Sequence, residues 1–381
     1  MAYTFLATAP FGLEGVVAQE LRTLGCAQVQ AQLGGASFVG GMEDALRANL
    51  WLRCADRVLL LAGKFPARTF EELYEGVKAI AWEQFIPRDA RFPVAGNCAR
   101  SQLMSVRDCQ AISKKAIADR LLAAHGVKTL PETAESYGVQ IALHGDVATC
   151  TLDTSGAGLS RRGYRTLNGE APLRETLAAA LLTLSPWRPG RPLHDPMCGT
   201  GTLLVEAAFM QANRAPGLTR AFACEAWRWT EKEAVAALRE EARAAFRPQE
   251  IGGITGADVD AAALKLAKRH LQQAGISGRI PLRCEDVRDA AGLDAACVIV
   301  TNPPYGCRMG ERKECESVAR ALGRLNRQEG QTVCAITAFT GFEKAFGRRA
   351  DKRRRLYNGR LECEFMTFYG PSLRQKASKG N

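Results

Sequence analysis

The sequence lacks the features that define several protein classes. No stretch reaches the roughly 18 apolar residues that a membrane-spanning helix needs, and no basic segment near the start leads into a long apolar one. The 13 cysteines are odd in number and scattered, without a C-x-x-C pair, so neither a zinc site nor a disulfide framework is expected. The four histidines show no metal-ligand spacing. We therefore predict a cytoplasmic protein with free thiols, no membrane segment and no metal.

Acidic residues are fewer than basic ones. The chain has 51 Lys and Arg against 40 Asp and Glu, which gives a formal charge of +11. Such an excess favours a polyanionic partner such as RNA. The length of 381 residues predicts two or three domains. We find no internal repeat and no low-complexity tract, and nothing in the sequence predicts the oligomeric state.

The N-terminal part alternates strand and helix patterns. Residues 1–65 follow the order β-α-β-β-α-β, which predicts a ferredoxin-like module. Residues 66–155 form a second small α/β module. Residues 156–171 are rich in Gly, Ser and Arg and are predicted to be a linker. Three arginines of this linker are candidates either for gripping RNA or for packing between the two halves, namely Arg161, Arg162 and Arg165.

The C-terminal part, residues 172–375, alternates short apolar strands with long helical stretches. This pattern predicts an α/β domain with a doubly wound, mostly parallel sheet, whose first helix begins near Pro172. Asn358-Gly359 is a strong signal for a tight turn, so we expect an antiparallel hairpin to close the sheet. A tail, residues 376–381, ends the chain.

A basic cluster precedes the predicted hairpin. It could neutralise several phosphates of a nucleic acid, and the alternative is a solvated loop. Its members are Arg348, Arg349, Lys352, Arg353, Arg354 and Arg355.

A glycine-containing motif, Asp195–Thr202, lies between an apolar strand and a helix. In a doubly wound sheet this turn borders the ligand crevice, and glycine lets the backbone approach a ligand without a Cβ clash. A G-x-G pattern is equally compatible with a simple tight turn. The candidate cofactor-binding residues of this motif are Asp195, Pro196, Cys198, Gly199, Gly201 and Thr202.

Two acidic residues follow the next two predicted strands. Asp258, within Gly256–Asp260, stands where a carboxylate can accept hydrogen bonds from a ribose diol; helix capping by Asp258 or Asp260 is the alternative. Asp286 stands where it can accept from an adenine amine. Asp286 is a candidate only because it follows a predicted strand in the same way as Asp195 and Asp258 do.

The fourth motif, Asn302–Gly306, directly follows a strand that is predicted to be buried. An exocyclic base amine is a poor nucleophile because its lone pair is delocalised into the ring. The Asn302 side-chain oxygen and the Pro303 carbonyl can hold both amine hydrogens and favour a pyramidal nitrogen. Pro303 and Pro304 stiffen the backbone, and Tyr305 offers a face for a flipped base. Catalysis would then rest on proximity and alignment.

These motifs resemble those of class I S-adenosylmethionine methyltransferases that modify amino groups. The run Asn302–Gly310, together with Tyr357–Gly359 and Arg161–Arg165, is similar to the bacterial guanine-N2 RNA methyltransferases of the large-subunit rRNA type. Thr200 stands where Ser is common in these enzymes. The resemblance implies a Rossmann-like class I methyltransferase domain in residues 172–375, and it implies that residues 66–155 are a THUMP RNA-binding domain.

The resemblance also implies roles for individual residues. Asp195, Gly199 and Gly201 would bind the methionine end of S-adenosylmethionine, Asp258 its ribose and Asp286 its adenine. The target amine would lie against Asn302, Pro303, Pro304 and Tyr305. The implied partner is RNA, with 23S rRNA favoured and tRNA as the alternative.

Other acceptors fit the same catalytic motif. Adenine N6 in RNA or DNA, or the side-chain amide of a glutamine in a release factor, also presents a planar amine. The β-containing N-terminal modules favour folded RNA over these alternatives. A non-catalytic RNA-binding or assembly protein that retains the fold is the alternative from a different class.

Overall fold

The computed structural model describes residues 2–165, 173–294, 296–305, 311–328 and 330–371. The predicted tail, Pro172 and the second part of the linker lie outside these ranges, as does the end of the Asn302–Gly310 run. Contacts divide the chain into two compact units. The first comprises residues 1–9, 17–159 and 221–240, and the second comprises residues 10–16, 160–220 and 241–381.

The first unit contains one continuous sheet. Its first half follows the predicted β-α-β-β-α-β order, and the elements are β1 (Tyr3–Thr8), α1 (Glu14–Thr23), β2 (Ala27–Gln32), β3 (Gly35–Gly40), α2 (Met42–Trp51) and β4 (Arg57–Pro66). The second half comprises α3 (Phe70–Ala79), β5 (Val94–Ala99), α4 (Val106–His125), β6 (Val139–His144) and β7 (Val147–Asp153). Within the described residues the strand order is β2-β3-β1-β4-β7-β6-β5.

The two N-terminal modules therefore share a sheet, which the sequence does not predict. Strand β4 pairs antiparallel with β7 from Leu59↔Asp153 to Pro66↔Val147. Strand β4 is long enough to serve both modules, because its first half pairs with β1 and its second half extends along β7.

The second unit alternates helices and strands as expected. The elements are α5 (Glu175–Leu184), β8 (Leu193–Asp195), α6 (Thr202–Gln211), α7 (Lys232–Ala244), β9 (Ile254–Asp258), α8 (Ala261–Gln273), β10 (Leu282–Cys284), β11 (Val298–Thr301), α9 (Glu311–Gln328), β12 (Thr332–Thr337), α10 (Phe342–Phe346), β13 (Lys352–Asn358) and β14 (Leu361–Phe368). Helix α7 begins in the first unit and ends in the second.

The sheet of the second unit has the order β10-β9-β8-β11-β12-β14-β13 over the described residues. Strands β8 to β12 pair in parallel, and β14 is antiparallel to both of its neighbours. The predicted hairpin forms, with Asn358 paired to Leu361 and only Gly359 and Arg360 in the loop. The strand order reverses between β8 and β11, and at such a switch point the crevice beyond the carboxyl ends binds ligands.

The core of this unit lies where helices cover β11, β12 and β14. Ile299, Leu322, Val333 and Phe368 are each fully buried there. The rings of Phe346 and Phe368 stack with centroids 3.7 Å apart. This close packing holds β11 in place, so the loop after its carboxyl end starts from a rigid strand.

Candidate functional site

The Asp195–Thr202 loop joins β8 to α6 and is pinned against neighbouring elements. The Cys198 amide donates to the Ala257 carbonyl of β9 at 2.8 Å. Gly201 has a φ of +82°, and a Cβ at this position would lie 3.2 Å from the Cβ of Ala267 in α8. A side chain at Gly201 would therefore meet both backbone strain and a tight contact. The loop holds its backbone close to the carboxyl ends of β8 and β9.

Asp195, the last residue of β8, is a buried carboxylate. Its Oδ1 accepts the Thr301 hydroxyl at 2.7 Å and the Met197 amide at 3.2 Å. Burial raises the pKa of Asp195 to about 7, and the nearby Asp258 acts in the same direction. Because desolvation disfavours the charged form, this carboxyl group is poised to gain from a cation placed beside it.

Asp258 and Asp260 divide two tasks between them. Asp260 caps helix α8, with its Oδ1 accepting the Ala262 amide at 2.7 Å. Asp258 instead accepts the Gly199 amide on Oδ2 at 2.7 Å and the Asp260 amide on Oδ1 at 2.9 Å. Two backbone donors thus fix the orientation of the Asp258 carboxylate. Each of its oxygens keeps a further lone pair for a ligand hydroxyl.

Asp286 follows β10, as predicted, and is bound by a nearby arginine. The Arg288 Nε donates to Asp286 Oδ1 at 2.8 Å, and a second guanidinium nitrogen of Arg288 donates to Oδ2. This hydrogen bonding lowers the pKa of Asp286 below its ordinary value. The carboxylate stays ionised, and an amine donor would share it with Arg288.

Asn302 and Tyr305 are joined by a hydrogen bond just beyond β11. The Tyr305 hydroxyl donates to Asn302 Oδ1 at 2.6 Å. It also accepts from the Asn358 side-chain amide at 3.1 Å, which links the motif to the end of β13. On the other side, the Cys315 thiol of α9 donates to the Pro304 carbonyl at 3.2 Å. The three contacts give the loop a defined conformation on both flanks.

A cavity of about 890 Å³ brings the predicted residues together. Of the predicted cofactor and catalytic residues, those that line it are Asp195, Pro196, Cys198, Gly199, Thr202, Asp258, Asp286, Asn302, Pro303, Pro304 and Tyr305. Gly201 shapes the turn from behind. Further lining residues that the sequence does not single out are Arg174, Glu314 and Val318. They are not found from motifs because they come from elements whose local pattern is unremarkable.

Two linker arginines pack inside the second unit. Arg162 is buried, and its Nε lies 3.5 Å from Oε1 of the buried Glu206. Arg165 donates to the Leu173 carbonyl at 3.1 Å and forms an ion pair with Glu175 at 3.4 Å. Their assignment as RNA contacts is corrected, because these guanidinium groups already have protein partners, Arg162 in the buried interior and Arg165 in a partly buried position. The exposed Arg161 keeps that assignment as a prediction.

Arg348 of the basic cluster is also a structural residue. Its guanidinium donates to Asn326 Oδ1, Asp351 Oδ2 and the Tyr369 carbonyl, each at 2.9 Å, and it lies over the Phe368 ring. These contacts correct its assignment as an RNA contact. The remaining members of the cluster are exposed, and they are Arg349, Lys352, Arg353, Arg354 and Arg355.

Neither a membrane-spanning helix nor a metal site occurs in the described part of the chain. No helix there is long and apolar enough to cross a membrane. No group of three or more His, Cys, Asp or Glu side chains is arranged there to hold a metal ion.

The sheet order, the glycine loop and the acidic strand ends define the class I methyltransferase fold. Family models match three parts of the chain. The RMKL-like methyltransferase domain matches residues 162–367, the RlmL ferredoxin-like domain residues 4–59, and the THUMP domain residues 67–153. The first match covers more than half of the chain, which therefore belongs to the RMKL-like methyltransferase family. The predicted resemblance, fold class and enzyme class are confirmed.

Individual relatives agree with the family. YpsC of Bacillus subtilis, provisionally named as an RNA methyltransferase, is 40% identical over 100% of this chain and 99% of its own length. The ribosomal RNA large subunit methyltransferase K/L of Syntrophotalea carbinolica is 37% identical over 96% of this chain but only 53% of its own length. The chain thus spans the whole of one relative and about half of the other.

Solved structures share the architecture. SMU.472, provisionally described as a methyltransferase and complexed with SAH, superimposes with a TM-score of 0.92 at 38% identity, covering 97% of this chain and 98% of its own. A Listeria monocytogenes protein described from prediction as an N6-adenine-specific DNA methylase gives 0.91 at 40% identity, with 97% of both chains covered.

Proposed function

We propose that this chain is an S-adenosylmethionine-dependent RNA methyltransferase that modifies the N2 amine of a guanine in large-subunit ribosomal RNA, in the cytoplasm. One observation carries the proposal. Asn302 lines a single cavity together with the glycine loop and the acidic ends of β8 and β9. A methyl donor and an amine acceptor can therefore meet in that cavity.

The cavity fits S-adenosylmethionine. This cofactor supplies a methyl group on a positively charged sulfonium and also carries an ammonium group, so it suits a cavity lined by carboxylates. Asp195 would lie at the methionine end. The Asp258 carboxylate, which two backbone amides orient, would accept the ribose hydroxyls, and Asp286 would accept the adenine amine. The turn at Gly201 lets the loop backbone pack closely against Ala267 of α8.

The chain positions the amine rather than activating it with a base. Asn302 Oδ1 and the Pro303 carbonyl would each accept one amine hydrogen, which turns the nitrogen lone pair toward the methyl group. The Tyr305 hydroxyl occupies Asn302 Oδ1 at 2.6 Å in this structure. Because an amide oxygen has two lone pairs, an entering base amine can donate to Asn302 Oδ1 beside that hydroxyl, and the Tyr305 ring offers a stacking face to the base.

The choice of RNA rests on the N-terminal domain and on the relatives. A THUMP model matches residues 67–153, and YpsC and the K/L enzymes carry RNA or ribosomal RNA in their names. This chain spans only about half the length of the K/L enzymes. We therefore propose, rather than transfer directly, a ribosomal RNA substrate for it. Adenine N6 is the second candidate, favoured by the name of the Listeria structure, and a guanine in tRNA is the third.

Nucleoside mass spectrometry tests the substrate. Separated 23S rRNA, 16S rRNA and tRNA from a deletion strain are incubated with the pure protein and labelled S-adenosylmethionine. We expect labelled N2-methylguanosine in the 23S fraction alone. Label in N6-methyladenosine would overturn the base, label in tRNA would overturn the substrate, and no label in any RNA would reject the proposal.

Variants of two site residues separate cofactor binding from catalysis. We expect Asn302→Ala to bind S-adenosylmethionine normally in calorimetry but to lose methyl transfer by about 10²–10³-fold, since a positioned polar contact of this kind contributes that much. Asp258→Ala should instead lose cofactor binding, because its carboxylate also holds the glycine loop. Full activity of Asn302→Ala would exclude the amine-holding role.

A further inference from the structure

The end of β13 lies at the same edge of the sheet as the cavity. Strand β13 runs antiparallel to β14, which runs antiparallel to β12, so β13 and β12 point the same way. The carboxyl ends of β13 and β11 therefore lie at the same edge of the sheet, and the hydrogen bond from Asn358 to Tyr305 joins them. Asn358 and Gly359 line the cavity, and Tyr357 directly precedes them in the strand.

An exposed aromatic side chain from the N-terminal part of the sequence contacts this end of β13. Residues 10–16 cluster with the second unit, and the Phe11 side chain there is 47% exposed. Its ring meets the Tyr357 ring edge-on, with centroids 6.2 Å apart. The Arg355 guanidinium lies 5.5 Å from the centroid of the Phe11 ring.

Gly12 fixes Phe11 on β13. Its φ is +88°, and a Cβ there would lie 2.7 Å from the Arg355 carbonyl oxygen and 3.1 Å from Leu356 Cδ2. Only glycine allows the loop this close to the strand without displacing backbone. The Gly12 amide also donates to Glu14 Oε2 at 2.8 Å. Phe11 is thus held at the surface by the backbone that follows it.

Glu362 orients the other two side chains of the group. It accepts the Tyr357 hydroxyl at 2.9 Å and lies 3.9 Å from the Arg355 guanidinium. These contacts hold both side chains on the same side of the hairpin as the Phe11 ring. The cation and the two rings form one surface on β13, next in sequence to Asn358 and Gly359, which line the cavity.

We propose that Phe11, Arg355 and Tyr357 form a stacking platform that binds an unpaired nucleotide adjacent to the target base. This inference rests on the proposed function and names its substrate as locally single-stranded RNA. Aromatic rings and arginine planes bind splayed-out bases by stacking, whereas bases in a duplex are already stacked. Exposed cations continue along the same strand from Arg355 to Lys352, over about 10 Å, where the phosphates of the flanking strand would lie.

The test compares the affinity of the full-length protein for two fluorescein-labelled RNAs. One is a single-stranded ten-nucleotide RNA with a central guanosine, and the other is the same RNA annealed to its complement. Binding is measured by anisotropy with saturating S-adenosylhomocysteine. We expect Phe11→Ala to bind the single strand about tenfold more weakly, the scale for one lost stacking contact, and to bind the duplex as the wild type does. Phe11→Trp should retain binding.

Phe70→Ala is the matched control, because Phe70 is a similarly exposed phenylalanine of the first unit. Equal binding of the single strand by Phe11→Ala and wild type would overturn the platform and would favour a protein partner for this surface. An equal loss on single strand and duplex, or an equal loss in Phe70→Ala, would also overturn it. These binding measurements need no methyl transfer. The platform proposal can therefore be rejected while N2-methylguanosine formation is observed, and it can be supported when no methylation is observed.

Discussion

Two groups of arginines that look alike in the sequence have opposite environments in the structure. The linker group contributes Arg162 and Arg165, which are enclosed with carboxylate partners. The group on β13 presents Arg353 and Arg354 to solvent, although Arg353 also pairs with Glu343. The two groups differ in burial because the interior of the second unit holds acidic side chains that pair with Arg162 and Arg165. The first group can hold the domain together, and the second is available to a polyanion.

The energetics of the two groups differ accordingly. Removing one partner of a buried pair leaves an uncompensated charge, which costs about 3–5 kcal/mol, whereas an exposed ion pair contributes about 0–1 kcal/mol. Glu206 Oε2 already has no hydrogen-bond partner among the described residues, so the loss of a cation beside it is especially unfavourable. Substitutions in the linker group should therefore lower the free energy of unfolding, whereas substitutions on β13 should lower RNA affinity.

The largest effect is expected for Arg162→Ala. It leaves the buried Glu206 without its ion pair, so the free energy of unfolding should fall by about 3–5 kcal/mol in denaturant titration. Arg161→Ala is the matched control on the neighbouring exposed residue and should change it by less than about 0.5 kcal/mol. If the two variants were equally stable, the contrast between the groups would be lost.

The next effect concerns RNA affinity. Simultaneous replacement of Lys352, Arg353 and Arg354 by Ala should leave stability nearly unchanged. It should weaken RNA binding and lower the slope of log affinity against log salt by about 2, which corresponds to three phosphates of a single strand. Anisotropy titrations between low and moderate salt measure both quantities.

A charge-matched control keeps this result specific. Replacing Arg247, Arg312 and Arg320 by Ala removes the same three charges from exposed sites elsewhere in the second unit. We expect a smaller change in slope for this variant. An identical change would mean that only net charge matters and that β13 has no special part in binding.

Much of the site could be predicted from the sequence because its geometry is local. A glycine loop after a strand, an acid at the end of the next strand and an Asn-Pro-Pro-Tyr run after a third need only the parallel sheet to bring them together. The Tyr305–Asn358 hydrogen bond could not be predicted, because it joins residues that are 53 positions apart and meet only through the order of β11, β12 and β14.

Burial of charge was the other part that the sequence does not reveal. Arg162 and Arg161 are adjacent, yet one is enclosed and one is exposed, and only the position of Glu206 on α6 explains why. Helix α9 is absent from the sequence-based prediction because charged residues dominate its composition. Its apolar positions, including Val318, Leu322 and Leu325, are confined to one buried face.

The segment 221–240 shows the same limit at the level of domains. It follows α6 in sequence but clusters with the first unit. Trp227 is buried against Tyr137, with ring centroids 5.1 Å apart, and its Nε1 donates to the Ser136 carbonyl at 3.2 Å. No local sequence pattern indicates that this segment belongs to another unit. The domain boundaries at 65, 155 and 171 remain predictions.

Asp195 gives the smallest expected effect and extends the comparison to a buried carboxyl group that forms no ion pair with the described part of the chain. Burial places its pKa at about 7, above the ordinary value of 3.8. Between those values the folded protein holds a proton that the unfolded chain releases, so this group's contribution to stability is lost as the pH rises through about 7. A cationic cofactor beside the carboxylate favours the ionised form and expels that proton. Affinity for S-adenosylmethionine should therefore rise by up to about tenfold between about pH 6 and pH 8 in calorimetry.

Asp195→Asn separates this titration from that of the cofactor. The cofactor's own ionisation is common to both proteins, so the difference between their pH profiles isolates Asp195. The amide can still accept the Thr301 hydroxyl, which keeps the local hydrogen bond in place. We expect the variant to bind more weakly at about pH 8 and to lose the rise, because it has no charge to expose to the cofactor. Parallel profiles for the two proteins would place the cation of the cofactor away from Asp195, and the methionine end would then have to be assigned to another part of the cavity.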